Sequence, residues 1–389
     1  MSTNMSEIYY DADLLSIRDM VRRFTEQRVA PLAEACDAEG RFPHELIEPL
    51  LEAGILRMPM PEEFGGINAS CQALSIVIEE ISYAMPALGS ILLSCFSPMR
   101  IVGTVGKAHQ QRAFYAGVSA RPMVTAFCLS EPSMGSDARA MKTKAERVGD
   151  RWILNGCKRW ISSAIVAGYY LLFARTGSGR EDISCFVVPG GAKGLSFGQP
   201  ENKMGFKASV LADVVFDDVE IPDDHLIGEV GQGWQALTVV ANTMRCWGAG
   251  AIATGLARAA LDVATRYANE REAFGRKIGK FQGIGFKLAD MAMAVRQSEL
   301  LLRDTNWRVD NELPQVTEKT QTQVSMAKCL AADTAMKVST EAVQILGGYG
   351  YMREYQVERM MRDAKAIQIF DGSNEIQRVI IGQYLLKNA

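Results

Sequence analysis

The sequence predicts an α+β protein, mainly α, in which a helical region, a sheet-rich region and a second helical region follow one another. Apolar residues recur at three- and four-residue spacings near the start, short β-branched and aromatic runs fill the middle, and long helical patterns return after Gly233. We expect domains at residues 1–121, 122–230 and 231–389. A chain of 389 residues with 48% hydrophobic composition can bury a core for such units.

In the first region, one helix face carries Leu14, Ile17, Val21 and Phe24. A Pro- and Gly-rich loop over 58–66 precedes an apolar helix predicted over 71–84. The strands predicted for the middle region lie within 152–154, 169–174, 183–188 and 211–221. The helices predicted beyond it cover 234–268, 283–309 and 316–344, with a last one after Gly372.

Composition excludes several classes of protein. The net charge of −3 comes from 42 basic and 45 acidic residues spread along the chain, so we expect no nucleic-acid partner. The eight cysteines form no C-x-x-C pair and the three histidines lie far apart, which argues against a metal site or a disulfide scaffold. The N-terminus does not resemble a signal peptide, and no uninterrupted apolar run reaches the roughly 18 residues of a membrane span. We expect a soluble, cytoplasmic protein.

One pattern resembles a dinucleotide-binding fingerprint but lacks the structural context that this fingerprint needs. The run 248–253 matches G-x-G-x-x-A, but its flanks are helical and no strand precedes it. We expect close helix packing through small residues there.

Two segments of the middle region carry residues that could bind a ligand. The run 127–137 is a Ser- and Gly-rich loop after an apolar strand, and the run 155–162 contains Trp160-Ile161-Ser162. Backbone N–H groups, hydroxyls and an aromatic face could cradle a flat heteroaromatic ring. An ordinary β-turn beside a core tryptophan fits these residues equally well.

Both runs resemble motifs of the acyl-CoA dehydrogenases, and the resemblance continues in order to the C-terminus. It passes through Lys203-Met204-Gly205, 217–222, 271–278, Phe281-Gln282, 344–350 and 369–378. The resemblance implies an N-terminal helical domain, a central β-barrel or sandwich-like domain and a C-terminal four-helix bundle. It also implies FAD, and a homotetramer built as a dimer of dimers.

Carried over by position, the resemblance implies a set of cofactor residues. On one side of the flavin it places Phe127, Leu129, Ser130, Gly135 and Ser136, and at the other edge Trp160 and Ser162. At the adenine and pyrophosphate end of FAD in a neighbouring subunit it places Arg271, Phe274, Gln344 and Gly348, and it assigns Gln282 to the cofactor as well. Near the cofactor, just after the catalytic position, it places Ser373 and Glu375. Arg271 taken alone would read as a solvated helix-end charge.

The same alignment implies a substrate site formed by Ser136, Asn242, Arg245 and Gly372. Asn242 stands where the family carries Asp, so the thioester carrier is either CoA or an acyl carrier protein. Trp247 borders the acyl pocket in the family; it either shortens that pocket or is a plain core residue.

Desaturation of a thioester removes an α proton while hydride leaves the β carbon for the flavin, and a carboxylate in a dry site can serve as base. Asp371 takes the base position, where the common pattern has Glu, and its carboxylate stops about 1.5 Å short. Met244 matches an alternative base position of isovaleryl-type members and cannot act as a base. Asp371 is thus a working base in an adjusted site, a residue of altered chemistry, or a turn-capping Asp.

The resemblance therefore implies an enzyme of lipid metabolism that converts acyl-CoA to 2-enoyl-CoA with FAD and passes electrons to electron-transfer flavoprotein. Two alternatives stay open. One is a dehydrogenase of acyl-carrier-protein thioesters in a biosynthetic pathway, and the other is a non-oxidative flavin- or thioester-binding member.

Overall fold

In the computed structural model, which describes residues 9–389, helices occupy both ends of the chain and strands its middle. The N-terminal helices are α1 Ala12–Phe24, α2 Ala30–Glu39, α3 Ile47–Glu52, α4 Cys71–Ala84, α5 Pro86–Val105 and α6 Ala108–Ser119. The start of α4 is set by Ser70, whose side chain accepts a hydrogen bond from the Ala73 N–H. Its bounds match the predicted helix.

Helix α5 has the length and apolar composition of a membrane span, and it is the one helix among residues 9–389 that does. Most of it is buried inside the protein, as in a core helix. Its partners include α4, α7 and strand β1, defined below.

The middle of the chain forms one mixed eight-stranded sheet. Its strands are β1 Thr125–Cys128, β2 Lys144–Val148, β3 Arg151–Ser162, β4 Tyr169–Arg175, β5 Ile183–Pro189, β6 Leu195–Phe197, β7 Leu211–Pro222 and β8 Leu226–Ile227. Their order is β6-β7-β3-β2-β4-β5-β8, with β1 parallel to β4. The long β3–β7 pair changes register between Lys158 and Ile161, which places a bulge at Trp160.

The C-terminal region is helical again. Its helices are α7 Gly233–Met244, α8 Ala251–Glu270, α9 Gln282–Glu312, α10 Glu318–Leu346, α11 Val357–Ile367 and α12 Asn374–Lys387. A π-helical turn over Arg245–Gly250 joins α7 to α8, and a short hairpin of β9 Glu272–Ala273 and β10 Arg276–Lys277 precedes α9. Helix α10 packs against α8, α9, α11 and α12.

Helix α11 is absent from the sequence-based prediction. Its buried face includes Val357, Met360 and Ile367, but the charged residues Arg359 and Asp363 are buried with them. The apolar residues nevertheless follow three- and four-residue spacings, so the helical stripe is present in the sequence.

The glycines of α8 and of the turn before it allow close helix contacts. A Cβ on Gly248 would lie 2.2 Å from Leu93 Cδ1, and one on Gly255 would lie 2.2 Å from the Glu79 carbonyl oxygen. The run 248–253 is helical and buried. The prediction of small-residue packing at this motif is confirmed.

Buried charges tie α4 to α8 at the same contact. The Arg258 guanidinium lies 2.6 Å from a Glu79 oxygen and 3.0 Å from a Glu80 oxygen. Burial alone would raise the pKa of Glu80, but Arg258 and Arg22 hold that pKa below its usual value. Glu80 therefore stays ionised and paired at neutral pH.

We expect Gly255→Ala to destabilise the protein by about 1–3 kcal/mol, because the new Cβ would meet the Glu79 backbone rather than a side chain that can move. Thermal and denaturant unfolding measure this change. Gly382→Ala is the matched control, since Gly382 lies in α12 with no atom within 4 Å of the added carbon. Equal stability of the two variants would contradict the close contact of α4 and α8.

Candidate active site

A buried ion pair fixes the loop that follows β1. Lys158 Nζ lies 2.8 Å from Glu131 Oε1 and also donates to the Leu129 carbonyl at 3.0 Å. Glu131 accepts two more hydrogen bonds, from the backbone N–H groups of Lys142 and Thr143. The side chains of the pair are 0% and 3% exposed, so the loop is anchored to β3 from beneath.

The charge state of this pair follows from its surroundings. Burial alone would raise the pKa of Glu131, but Lys158 and the two backbone donors hold that pKa below its usual value. The pair therefore remains ionic at neutral pH, and removing one partner would leave a buried charge uncompensated.

Trp160 lies at the bulge of β3 with φ of 58°, and its side chain is 56% exposed. The preceding Arg159 N–H donates to the Ser130 carbonyl at 2.8 Å, and the Arg159 guanidinium lies 5.6 Å from the Trp160 ring. The structure thus brings Ser130 and Trp160 to one place. A large aromatic side chain held in the open by strained backbone is typical of a ligand site.

The other predicted flavin residues border the same loop. Phe127 lies on β1 with its ring 5.4 Å from Phe173, and Ser162 ends β3. Gly135 and Ser136 are exposed, and no atom lies within 4 Å of a Cβ built on Gly135. Open space beside small residues and free hydroxyls fits a bound polar ligand.

The turn at Asp371 and Gly372 has left-handed backbone at both residues, with φ of 54° and 83°. Arg245 Nε donates to the Asp371 carbonyl at 3.0 Å. The Gly372 carbonyl accepts from Lys328 Nζ and from Gln377 Nε2, each at 2.9 Å. Side chains from three elements therefore hold both carbonyls of the turn.

The Asp371 carboxylate and N–H are left available by this arrangement. Its Oδ2 atom is buried, and within residues 9–389 neither this oxygen nor the Asp371 N–H makes a hydrogen bond. Burial raises the pKa of Asp371, while Lys328 and Arg245 oppose the rise. A buried carboxylate without hydrogen-bond partners is a stronger base than an exposed one.

A loop of the sheet region contacts the segment that leads into this turn. The Phe206 N–H donates to Asp363 on α11, and the Phe206 ring lies 5.8 Å from Phe370. A Cβ on Gly205 would lie 2.5 Å from the Arg362 carbonyl oxygen. The sheet is therefore held directly against the residue before Asp371.

A second group of predicted residues lies around a cleft of about 470 Å³ at the end of α10. Its lining includes Arg271 and Gly348, and the Arg271 guanidinium lies 5.4 Å from the Tyr349 ring. Gln344 is exposed on α10, Gln282 is the first residue of α9, and Phe274 is 95% exposed with φ of 51°. Within residues 9–389, no hydrogen bond or ring contact joins this cleft to Trp160 or Asp371.

The remaining predicted residues lie near the turn or on the helices beside it. Asn242 Nδ2 donates to Gln321 Oε1 on α10 at 3.1 Å, so its side chain is directed at that helix. Ser373 caps α12 by accepting from the Ile376 N–H, and Glu375 is exposed in the first turn. Trp247 is 0% exposed, and its Nε1–H donates to Thr243 Oγ1 at 3.4 Å.

Sequence reasoning did not identify four residues that organise the site, namely Glu131, Lys158, Lys328 and Gln377. Lys328 gave a signal, because it falls in the apolar stripe of α10 between Val324 and Ala331, where a lysine is unusual. Glu131 and Lys158 are separated by 27 residues and gave none.

Models of one protein family match the chain over most of its length. They are the N-terminal domain of acyl-CoA dehydrogenase at residues 11–120, the middle domain at 126–219 and the C-terminal domain at 231–386. Among similar proteins, the mitochondrial short-chain specific acyl-CoA dehydrogenase of Mus musculus is 37% identical, over 98% of this chain and 93% of its own length. The 3-(aryl)acrylate reductase of Clostridium sporogenes is 36% identical, over 95% and 98%.

Solved structures agree with this result. Butyryl-CoA dehydrogenase from Megasphaera elsdenii superposes with a TM-score of 0.92 at 33% identity, covering 97% of this chain and 99% of that one. A chain from the structural work on the electron transferring flavoprotein of Acidaminococcus fermentans superposes with a TM-score of 0.93 at 35% identity, covering all of both chains. The predicted family and fold class are confirmed. The chain belongs to the acyl-CoA dehydrogenase family of FAD-dependent oxidoreductases that act on a CH–CH group.

Proposed function

We propose that this enzyme oxidises an acyl-CoA to its 2-enoyl-CoA, with Asp371 as the base that removes the α proton. The observation that carries the proposal is the buried Oδ2 atom of Asp371, which accepts no hydrogen bond within the described residues although its turn is held firmly. Burial raises the pKa of this carboxyl group and so increases its basicity. The free Asp371 N–H is suited to donate to the thioester oxygen, where negative charge develops.

The residues around Trp160 fit the isoalloxazine part of FAD. Ser130 and Ser136 offer hydroxyl groups, Gly135 leaves open space, and the Trp160 ring is exposed. We assign Phe127, Leu129 and Ser162 to the same subsite, with Ser373 and Glu375 near its other face. When bound, FAD supplies the acceptor for the hydride that leaves the β carbon.

We further propose a short or compact acyl group. Trp247, at the position that borders the acyl pocket in the family, is fully buried and occupies space that a smaller residue would leave open. The names of the mouse and Megasphaera proteins, which denote short-chain and butyryl substrates, support this size. We assign Ser136, Asn242, Arg245 and Gly372 to the thioester and its carrier.

The alternatives from the sequence remain distinguishable. The clostridial relative is named as a reductase, so the same CH–CH chemistry in the reductive direction is a second candidate. Anaerobic titration with acyl-CoA and acyl-carrier-protein thioesters, followed by flavin absorbance, separates oxidation of each carrier from binding without turnover. Reoxidation of reduced enzyme by an enoyl thioester would support the reductive direction.

We propose electron-transfer flavoprotein as the oxidant and a homotetramer as the working assembly. Large apolar side chains are exposed on α9 and α12, namely Phe286, Met293, Trp307, Val379 and Leu386. Such surfaces are typical of subunit interfaces. We assign Arg271, Phe274, Gln282, Gln344 and Gly348 to the FAD of a neighbouring subunit.

The eight free cysteines support a cytoplasmic enzyme of lipid metabolism, and the matched family domains support domain limits at 1–121, 122–230 and 231–389.

We expect Asp371→Asn to lower the rate of flavin bleaching by substrate by about 10²–10⁴-fold, because the amide cannot accept the α proton. Stopped-flow absorbance under anaerobic conditions measures this rate. Asp217→Asn, which makes the same exchange at an exposed position of β7, is the control and should bleach normally. Undiminished bleaching by the Asp371→Asn variant would show that another group is the base.

We expect Lys158→Met to cost about 3–5 kcal/mol of stability, because Glu131 would be left buried and unpaired, and to weaken FAD binding through the loosened loop. Fluorescence titration with FAD and thermal unfolding measure the two effects. The double variant Glu131→Gln, Lys158→Met removes both charges and should recover most of the loss. A single variant with native stability and FAD affinity would rule out the anchoring role.

We expect two inactive chains to complement each other if the FAD site is shared between subunits. In a mixed assembly of Asp371→Asn chains with Arg271→Ala, Phe274→Ser chains, one class of site has every native residue, so part of the activity returns. The wild-type enzyme should elute in size-exclusion chromatography at the mass of four 42.7 kDa chains. Mixed assemblies without activity would mean that each FAD takes both residue groups from one subunit, which contradicts the shared site.

A further inference from the structure

We propose that Lys328 is a positioning residue for the base, whose ammonium group both holds the Asp371–Gly372 turn and balances the charge of the Asp371 carboxylate. This inference rests on the proposed role of Asp371 as the base. Lys328 is placed to act through the turn, since its hydrogen bonds end on Gly372 and Asn374.

The burial of Lys328 requires an explanation. Its side chain is 0% exposed in the middle of α10, and the helix buries Val324, Ala331 and Ala335 on either side of it. A buried ammonium group is costly unless it is paired and hydrogen-bonded. Its Nζ atom lies 2.9 Å from the Gly372 carbonyl oxygen and 3.0 Å from Asn374 Oδ1, both at the turn that carries the base.

The acceptors of Lys328 are themselves fixed. Asn374 Nδ2 donates to the Cys329 carbonyl at 3.3 Å and to Asp333 Oδ1 at 2.8 Å, so its Oδ1 points at the ammonium group. Gln377 Nε2 donates to the Gly372 carbonyl from the first turns of α12. Lys328, Gln377 and Asn374 therefore form a hydrogen-bond frame around the turn, in which Lys328 places its charge directly on the Gly372 carbonyl.

Precise placement matters more for an aspartate than for a glutamate. Because the Asp371 side chain is short, a displaced turn cannot be corrected by a rotation about another side-chain bond. A misplacement of about 1 Å can cost roughly 100-fold in rate. The hydrogen bonds from Lys328 to Gly372 and Asn374 oppose such a displacement of the turn.

Two charged groups act on the Asp371 carboxylate, namely Lys328 and Arg245. The titratable and charged groups that act on Lys328 are Asp371, Cys329, Asp333 and Arg245. Burial lowers the pKa of Lys328 to about 8, and Asp371 opposes that change. Lys328 is thus charged below about pH 8 and keeps the pKa of Asp371 from rising further. Without it, burial would leave more of the base protonated at neutral pH.

The test compares three single variants that keep their FAD. In Lys328→Met, we expect the acid side of the pH profile for flavin bleaching to move upward by about one unit and the plateau rate to fall by about 10-fold or more. Gln377→Met removes a hydrogen bond to the same carbonyl without a charge, so the plateau should fall while the profile stays in place. Lys337→Met, at an exposed position of α10, should change neither.

A double-mutant cycle supplies a readout that needs no turnover. If the two charges balance, Asp371→Asn should raise the unfolding temperature of the Lys328→Met enzyme more than that of the wild type. If Lys328→Met alone does not fold, the double variant should recover folding and FAD binding. Additive effects in the cycle, an unmoved pH profile, or a double variant that stays unfolded would overturn the inference. Normal bleaching by Asp371→Asn alone would instead refute the base, whatever the cycle gives.

Discussion

The close packing of α10 is the constraint on which the C-terminal region depends. This helix contacts α7, α8, α9, α11 and α12, and five of its buried positions are alanines, namely Ala327, Ala331, Ala332, Ala335 and Ala342. Small side chains let the neighbouring helices pack closely, and Lys328 is fully buried among them. The middle of the helix contacts the Asp371–Gly372 turn, while its end at Gly347 lines the cleft proposed for the cofactor.

The site is built where regular structure is interrupted. Trp160 lies in a bulge, Arg245 begins a π-helical turn, and Asp371 and Phe274 have left-handed backbone. Each left-handed residue costs on the order of 1–3 kcal/mol, which the surrounding contacts must offset. At Asp371 the offset comes from Arg245, and at Trp160 from the Arg159 hydrogen bond to Ser130. Each of these two strained backbone conformations is therefore held by a hydrogen bond at or next to the strained residue.

The spacing of apolar residues predicted those helices and strands that depend mainly on residues near one another in the sequence. The α4 helix and strand β7 follow from apolar periodicity and caps, and the family follows from ordered motifs. Strand β3 is longer than predicted, because it extends from Arg151 to Ser162 and only 152–154 were predicted. Helix α11 was not predicted, although its apolar residues Val357, Met360, Ala364 and Ile367 follow helical spacing. The residues that support the site were missed because their partners are distant in sequence. The role of Lys328 depends on hydrogen-bond partners that lie 44 and 46 residues away in the sequence and that only the fold brings close.

The left-handed backbone at Asp371 has a consequence for how this position can change over evolution. Aspartate adopts φ near 54° at a lower cost than most residues with a side chain, and a longer, unbranched acid adopts it less readily. Reach toward the substrate and ease of folding therefore make opposite demands on one residue. Keeping aspartate favours the fold, and the proposed base then depends on the substrate to approach it. A change of residue at position 371 would therefore alter reach and stability together.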